Sequence, residues 1–140
     1  MDSTITISKE LLDNIFDHCK RDYPYECCGI LIGDIDSKRV ERIITAENLR
    51  KDQIDGRYEM VPKDLIEGER LARKLSLDVI GYYHSHPDHP NRPSEYDRQR
   101  AFAGMSYIIV ATKEGKETDP KSWLLSEESQ QFIEELINII

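Results

Sequence analysis

Apolar positions along the chain change period several times. Thr4–Ile7 reads as a short strand. Leu11, Leu12, Ile15, Phe16 and Cys19 then recur at helical spacing and fall on one stripe. Ser8 is placed to cap that helix, which runs from Lys9 to about Arg21 before Pro24 ends the region. Cys28–Gly33 is a continuous apolar run, the pattern of a buried strand, and Asp34-Ile35-Asp36-Ser37 turns the chain into an alternating strand, Arg39–Leu49. Lys51–Gly56 reads as a polar loop and Arg57–Val61 as a strand. Pro62 suits a first helical position and opens a helix to about Leu75 through Leu65, Ile66, Leu71 and Ala72. Val79–His86 is a strand, Ser94–Ala103 a helix, Ser106–Thr112 a strongly apolar strand and Lys113–Lys121 a charged loop. Ser122–Leu125 and Gln131–Ile139 read as a final hairpin, although Phe132, Leu136 and Ile139 would also suit a helix. Strands and helices interleave without a repeat or a linker. The expected architecture is a single domain over residues 1–140, an α/β (α+β) arrangement of a mixed β-sheet flanked by helices.

Composition narrows the function classes. A chain of 140 residues can bury a sizeable core. A net charge of −8 argues against a nucleic-acid or anionic-membrane surface. No apolar stretch follows Met1 and no run approaches membrane-spanning length, so a cytoplasmic protein is expected. Three cysteines, Cys19, Cys27 and Cys28, with no C-x-x-C, fit neither a disulfide framework nor a cysteine zinc site, and suit a reducing cytoplasm.

The strand Val79–His86 ends in candidate chemistry. In Tyr82-Tyr83-His84-Ser85-His86-Pro87 two histidines flank one serine. Residues i and i+2 of a strand point to the same side, so His84 and His86 project together. Ser94-Glu95-Tyr96-Asp97 reads as the first turn of a helix, which returns Asp97 on a stable element. Pro87, Pro90 and Pro93 stiffen the connection. Two histidines and an aspartate suit a first-row divalent metal, and three protein ligands plus a water is the pattern of catalytic zinc. H-x-H alone occurs by chance, and Ser94-x-x-Asp97 is also a capping box with Asp in place of Glu. The combination at these spacings carries the metal reading. His18 and His89 are read as surface residues. Cys28 is read as a small buried group on the side of Glu26, with Cys27 facing the other way. Tyr82 and Tyr83 are expected to pack one to each sheet face, and Trp123 to anchor the core or an edge.

These residues resemble a known family. H-S-H-P at 84–87, seven residues from His86 to Ser94, and S-x-x-D at 94–97 look like the metal motif of the JAMM (MPN+) metalloproteases, small prokaryotic type. Glu26-Cys27-Cys28-Gly29 matches the E-x-x-G that the family carries in an early strand context. The Arg57–Met60 segment and the helix before His84 also resemble family elements. The resemblance implies a cytidine-deaminase-like MPN/JAMM fold with one zinc ion per chain, held by His84, His86 and Asp97. It implies hydrolysis of a peptide or isopeptide bond after the C-terminal glycines of a ubiquitin-like or sulfur-carrier protein. Release of cysteine or another amino acid from the carrier's C-terminus is a close variant. Glu26, by itself only a carboxylate before a strand, becomes the general base. Ser94, by itself a plain helix cap, becomes the oxyanion stabiliser. The alternative is a non-catalytic MPN-type scaffold that binds ubiquitin-like partners. Loss of a ligand or of the glutamate would mark that class, and all five residues are present. A metal-dependent deaminase would need H-x-E and P-C-x-x-C, which are absent. The short segments around the motif leave little room for the large insertions of eukaryotic deubiquitinases.

Overall fold

In chain order the computed structural model, which describes residues 3–50 and 58–140, forms ten elements. They are β1 (Thr4–Ile7), α1 (Lys9–Asp22), β2 (Cys28–Asp34), β3 (Arg39–Ala46), α2 (Pro62–Lys74), β4 (Asp78–Pro87), α3 (Glu95–Arg100), β5 (Ser106–Lys113), β6 (Glu117–Leu125) and β7 (Phe132–Ile139). The strands make one mixed sheet in the order β1-β3-β2-β4-β5-β6-β7. β4 and β5 run parallel, as β1 does with β3 and with β7, and the other neighbours are antiparallel. Pairing of β1 with both β3 and β7 closes the sheet on itself. Buried Glu135 ties that closure, accepting from Ser3 Oγ at 2.6 Å and Ser122 Oγ at 2.8 Å and pairing with Lys38.

Strand alternation sorts the core into two clusters. Leu31 and Tyr83 join Ile5, Ile15, Ile80 and Ile108 on the side of α1. Ile30, Ile32 and Val79 pack with Ala72 of α2, and Tyr82 lies against them. The two tyrosines therefore take opposite faces, as expected. Ser8 caps α1, its side chain accepting from Leu11 N at 3.1 Å. β4 lies between β2 and β5 in the middle of the sheet, and beyond the irregularity opposite Leu31/Ile32 its alternation puts His84 and His86 on the face of Tyr82.

Four expectations change. The segment expected as a strand at 57–61 contributes a single bridge, Asn48 to Met60, and the polar loop Lys51–Gly56 lies outside the described residues, as does Arg57. The charged loop shrinks to a turn, because Glu114 and Gly115 take positive φ and β6 begins at Glu117. Pro120 is tolerated within β6 because β7 joins that strand only from Ser122 onward. The helix after Ser94 ends at Arg100, where Ala101 turns extended and Phe102 N donates to Tyr107 Oη at 2.7 Å. His18, expected at the surface, is buried, sharing a 2.7 Å hydrogen bond with Tyr83 Oη through Nδ1. The last segment, which suited either strand or helix, is β7.

Gly29 is where this packing is tightest. A Cβ there would lie 2.0 Å from Cε2 of the fully buried Tyr83 ring. Gly29→Ala should therefore displace the ring and its bond to His18, costing about 1–3 kcal/mol. Thermal unfolding checks this, and an unchanged melting temperature would mean the ring yields without cost.

Candidate metal centre

Three side chains from two elements converge at the C-terminal end of β4. His84 Nε2 lies 3.2 Å from His86 Nε2 and 3.3 Å from Asp97 Oδ1. His86 Nε2 lies 3.1 Å from Asp97 Oδ2. Two donors on a tetrahedral zinc, each about 2.0–2.1 Å from the ion, stand about 3.3 Å apart. All three separations have that length. His84, His86 and Asp97 are all buried.

The protonation pattern points the same way. His86 Nδ1 lies 2.8 Å from Pro90 O, a carbonyl that can only accept. Nδ1 therefore carries a proton, and Nε2 is left facing Asp97 Oδ2 and His84 Nε2. As a proton donor Nε2 bonds the carboxylate, and as a lone pair it offers, with His84 and Asp97, a donor set that fits a divalent metal. His84 is held differently. Its Nδ1 is buried with no hydrogen-bond partner among the described residues. Its ring stacks on Tyr58 with centroids 4.5 Å apart and planes 29° apart.

Asp97 is fixed by the capping box that the sequence predicts. Ser94 Oγ accepts from Asp97 N at 3.0 Å, and Asp97 Oδ2 accepts from Ser94 N at 2.8 Å. Burial on its own would raise the Asp97 carboxyl. The charge and hydrogen bond of His84, the bond from His86 and the Ser94 N–H outweigh it and hold the carboxyl far below the usual range. Asp97 is thus an anion ready for a metal.

Glu26, two residues before β2, completes the group. Among the described residues Glu26, His84 and His86 each present a ligand atom, all within 4.8 Å of one another, and Glu26 is buried. Its neighbour Cys27 is pinned to β4, the Cys27 N–H donating to Ser85 Oγ at 2.9 Å. Cys27 lies in the core on the α1 side, and Cys28 pairs in register with His84. The five residues expected from the sequence are therefore gathered at one end of β4 and the start of α3. His89 is exposed and outside the cluster, as expected, and Asp88 beside it is exposed too. Trp123 anchors the loop after His86, its Nε1 donating to Asn91 O at 3.0 Å. Asn48 and Tyr58 were not foreseen. Asn48 reads in sequence as the polar end of the strand expected over Arg39–Leu49, and Tyr58 as one more strand tyrosine. Neither carries a local signal, because their partners are distant in sequence.

Comparison with known proteins bears on this geometry. The family model described as prokaryotic homologs of the JAB domain matches residues 8–126. A desampylase of Haloferax volcanii is 30% identical over 114 residues, covering 78% of this chain and 81% of its own. A CysO-cysteine peptidase of Mycobacterium tuberculosis is 25% identical over 137 residues, covering 97% of this chain and 91% of its own. The solution structure of a protein from Desulfitobacterium hafniense superposes with a TM-score of 0.84 at 32% identity, covering 97% of this chain and 92% of the other.

Proposed function

Because the chain belongs to the prokaryotic JAB-domain family, we propose that it is a zinc metallopeptidase. Its proposed reaction is hydrolysis of the peptide or isopeptide bond after the C-terminal glycines of a ubiquitin-like or sulfur-carrier protein. The observation that carries this reading is the convergence of His84 Nε2, His86 Nε2 and Asp97 at spacings of 3.1–3.3 Å. The desampylase and the CysO-cysteine peptidase among its relatives support the substrate class. The reading takes residues 1–140 as one catalytic domain with one zinc ion.

Bound by His84, His86 and Asp97, zinc would acidify the attacking water and polarise the scissile carbonyl. Glu26 does the proton work. Its buried carboxylate faces the histidines within one water's reach, where it takes a proton from the attacking water and passes it to the leaving amine. Ser94 Oγ accepts from Asp97 N in the cap, which leaves its own O–H free to donate. It donates to the carbonyl oxygen as negative charge develops there. His86 and Asp97 keep fixed orientations through Pro90 O and the capping box.

Ser94 distinguishes catalysis from capping. As an oxyanion donor, its loss in Ser94→Ala should lower kcat by about 10²–10³-fold with zinc content unchanged. As a cap alone, its loss should cost about 1 kcal/mol of stability and leave turnover per folded molecule intact. Parallel cleavage and melting measurements on Ser94→Ala decide, and we expect the kinetic loss to dominate.

The substrate class is tested by incubating the protein with ubiquitin-like and sulfur-carrier proteins that bear C-terminal extensions, and following intact mass. The expected product ends at the glycine pair. No mass change in any of them would refute this substrate class.

A further inference from the structure

The groups around Glu26 and His84 meet at one buried side chain that the proposed chemistry does not use. Asn48 Nδ2 donates to the backbone carbonyl of Glu26 at 2.9 Å. Asn48 Oδ1 accepts from Glu59 N at 2.9 Å and from Arg50 N at 2.9 Å. The short strap at 58–61 is further tied to the end of β3, with Leu49 N donating to Glu59 O at 2.7 Å and Val61 N to Glu47 O at 3.1 Å. Its other side is fastened to α3. Tyr96 Oη donates to Tyr58 O at 3.1 Å, and Arg100 pairs with Glu59 at 3.1 Å. Tyr58 then stacks on His84, whose Nδ1 has no hydrogen-bond partner among the described residues to set its ring.

We propose that Asn48 is a positioning residue that sets the base against the metal histidines. One half of its amide holds the Glu26 peptide and the other half holds the strap that packs on His84. Both halves are needed at once, and the amide supplies an N–H donor on one side and an oxygen that can accept twice on the other. Asn48 is buried, so each lost bond leaves a polar group without water to replace it. Misplacing a catalytic group by about 1 Å can cost about 10²-fold in rate, which makes this clamp matter for turnover. The inference rests on the metallopeptidase reading, but half of its test does not.

Two variants separate the halves. Asn48→Asp keeps an acceptor for Glu59 and Arg50 and loses the donor to Glu26. Asn48→Ala loses both. Three quantities are measured on each: kcat and KM for a ubiquitin-like protein with a C-terminal extension, zinc affinity by competition with a chelator, and melting temperature. Both variants should show kcat lowered by about 10–10²-fold with KM within about twofold. Zinc affinity should fall by about 10-fold or more in Asn48→Ala, as for other residues that orient a metal ligand, and stay near wild type in Asn48→Asp. A merely structural role predicts lower melting temperatures with kcat per folded molecule and zinc affinity both unchanged, and that result would overturn the proposal. If the wild-type protein cleaves nothing, the functional reading fails and zinc affinity alone decides. Weaker binding in Asn48→Ala but not in Asn48→Asp then supports the clamp, and equal affinities refute it.

Discussion

Glu26→Gln should lose about 10²–10⁴-fold in turnover and keep its zinc. Gln has nearly the shape of Glu and can hydrogen-bond, but it cannot accept a proton at neutral pH. The Glu26 peptide is held by Asn48 Nδ2 at 2.9 Å and the next N–H by Ser85 Oγ at 2.9 Å. The substitution should therefore leave the backbone in place, so the loss falls on kcat. The carboxylate shares its 4.8 Å neighbourhood with both histidines, which is also consistent with a fourth ligand. The variant separates the two roles. A ligand would take the metal with it when replaced, and a base would not. Metal analysis beside the rate measurement checks both, and a zinc-free Glu26→Gln protein would move Glu26 into the ligand set.

His84→Ala should bind no zinc and show no detectable cleavage. His84 faces both other donors, at 3.2 Å from His86 and 3.3 Å from Asp97, and is fully buried. Its removal leaves two ligands from a set of three, too few for the three-ligand catalytic site. His89 supplies the control. It is also a histidine of this segment, but it is exposed and outside the cluster, so His89→Ala should keep both zinc and activity. Equal zinc in wild type and His84→Ala would overturn the ligand assignment.

The parts of the site legible in the sequence are those set by local periodicity. Alternation in a strand puts His84 and His86 on one side, and the three-residue spacing from Ser94 to Asp97 makes a capping box whatever else the chain does. The capping box is seen as expected, with bonds of 3.0 and 2.8 Å. Most elements follow for the same reason, because the stripe Leu12, Ile15 and Cys19 and the run Cys28–Gly33 each declare their period. What was not legible depends on partners far along the chain. His18 is buried because Tyr83, 65 residues away, offers it a hydroxyl. The partner of Asn48 is the Glu26 carbonyl, 22 residues away. β6 begins early because the edge of β5 pairs with it from Glu117, and Pro120 falls where β7 has not yet joined. The closure of the sheet through β1 likewise depends on Glu135 gathering Ser3, Lys38 and Ser122 from distant segments.

In the proposed reaction a metal held by His84, His86 and Asp97 carries out hydrolysis, which is checked by stripping the protein with a chelator and adding zinc back in steps. Cleavage of a ubiquitin-like protein with a C-terminal extension is followed at each step. Activity should be absent in the stripped protein, rise linearly and level off at about one equivalent per chain, the count for a single three-ligand site. Full cleavage by the stripped protein, or a plateau only at two equivalents, would rule out hydrolysis by a single metal at this site.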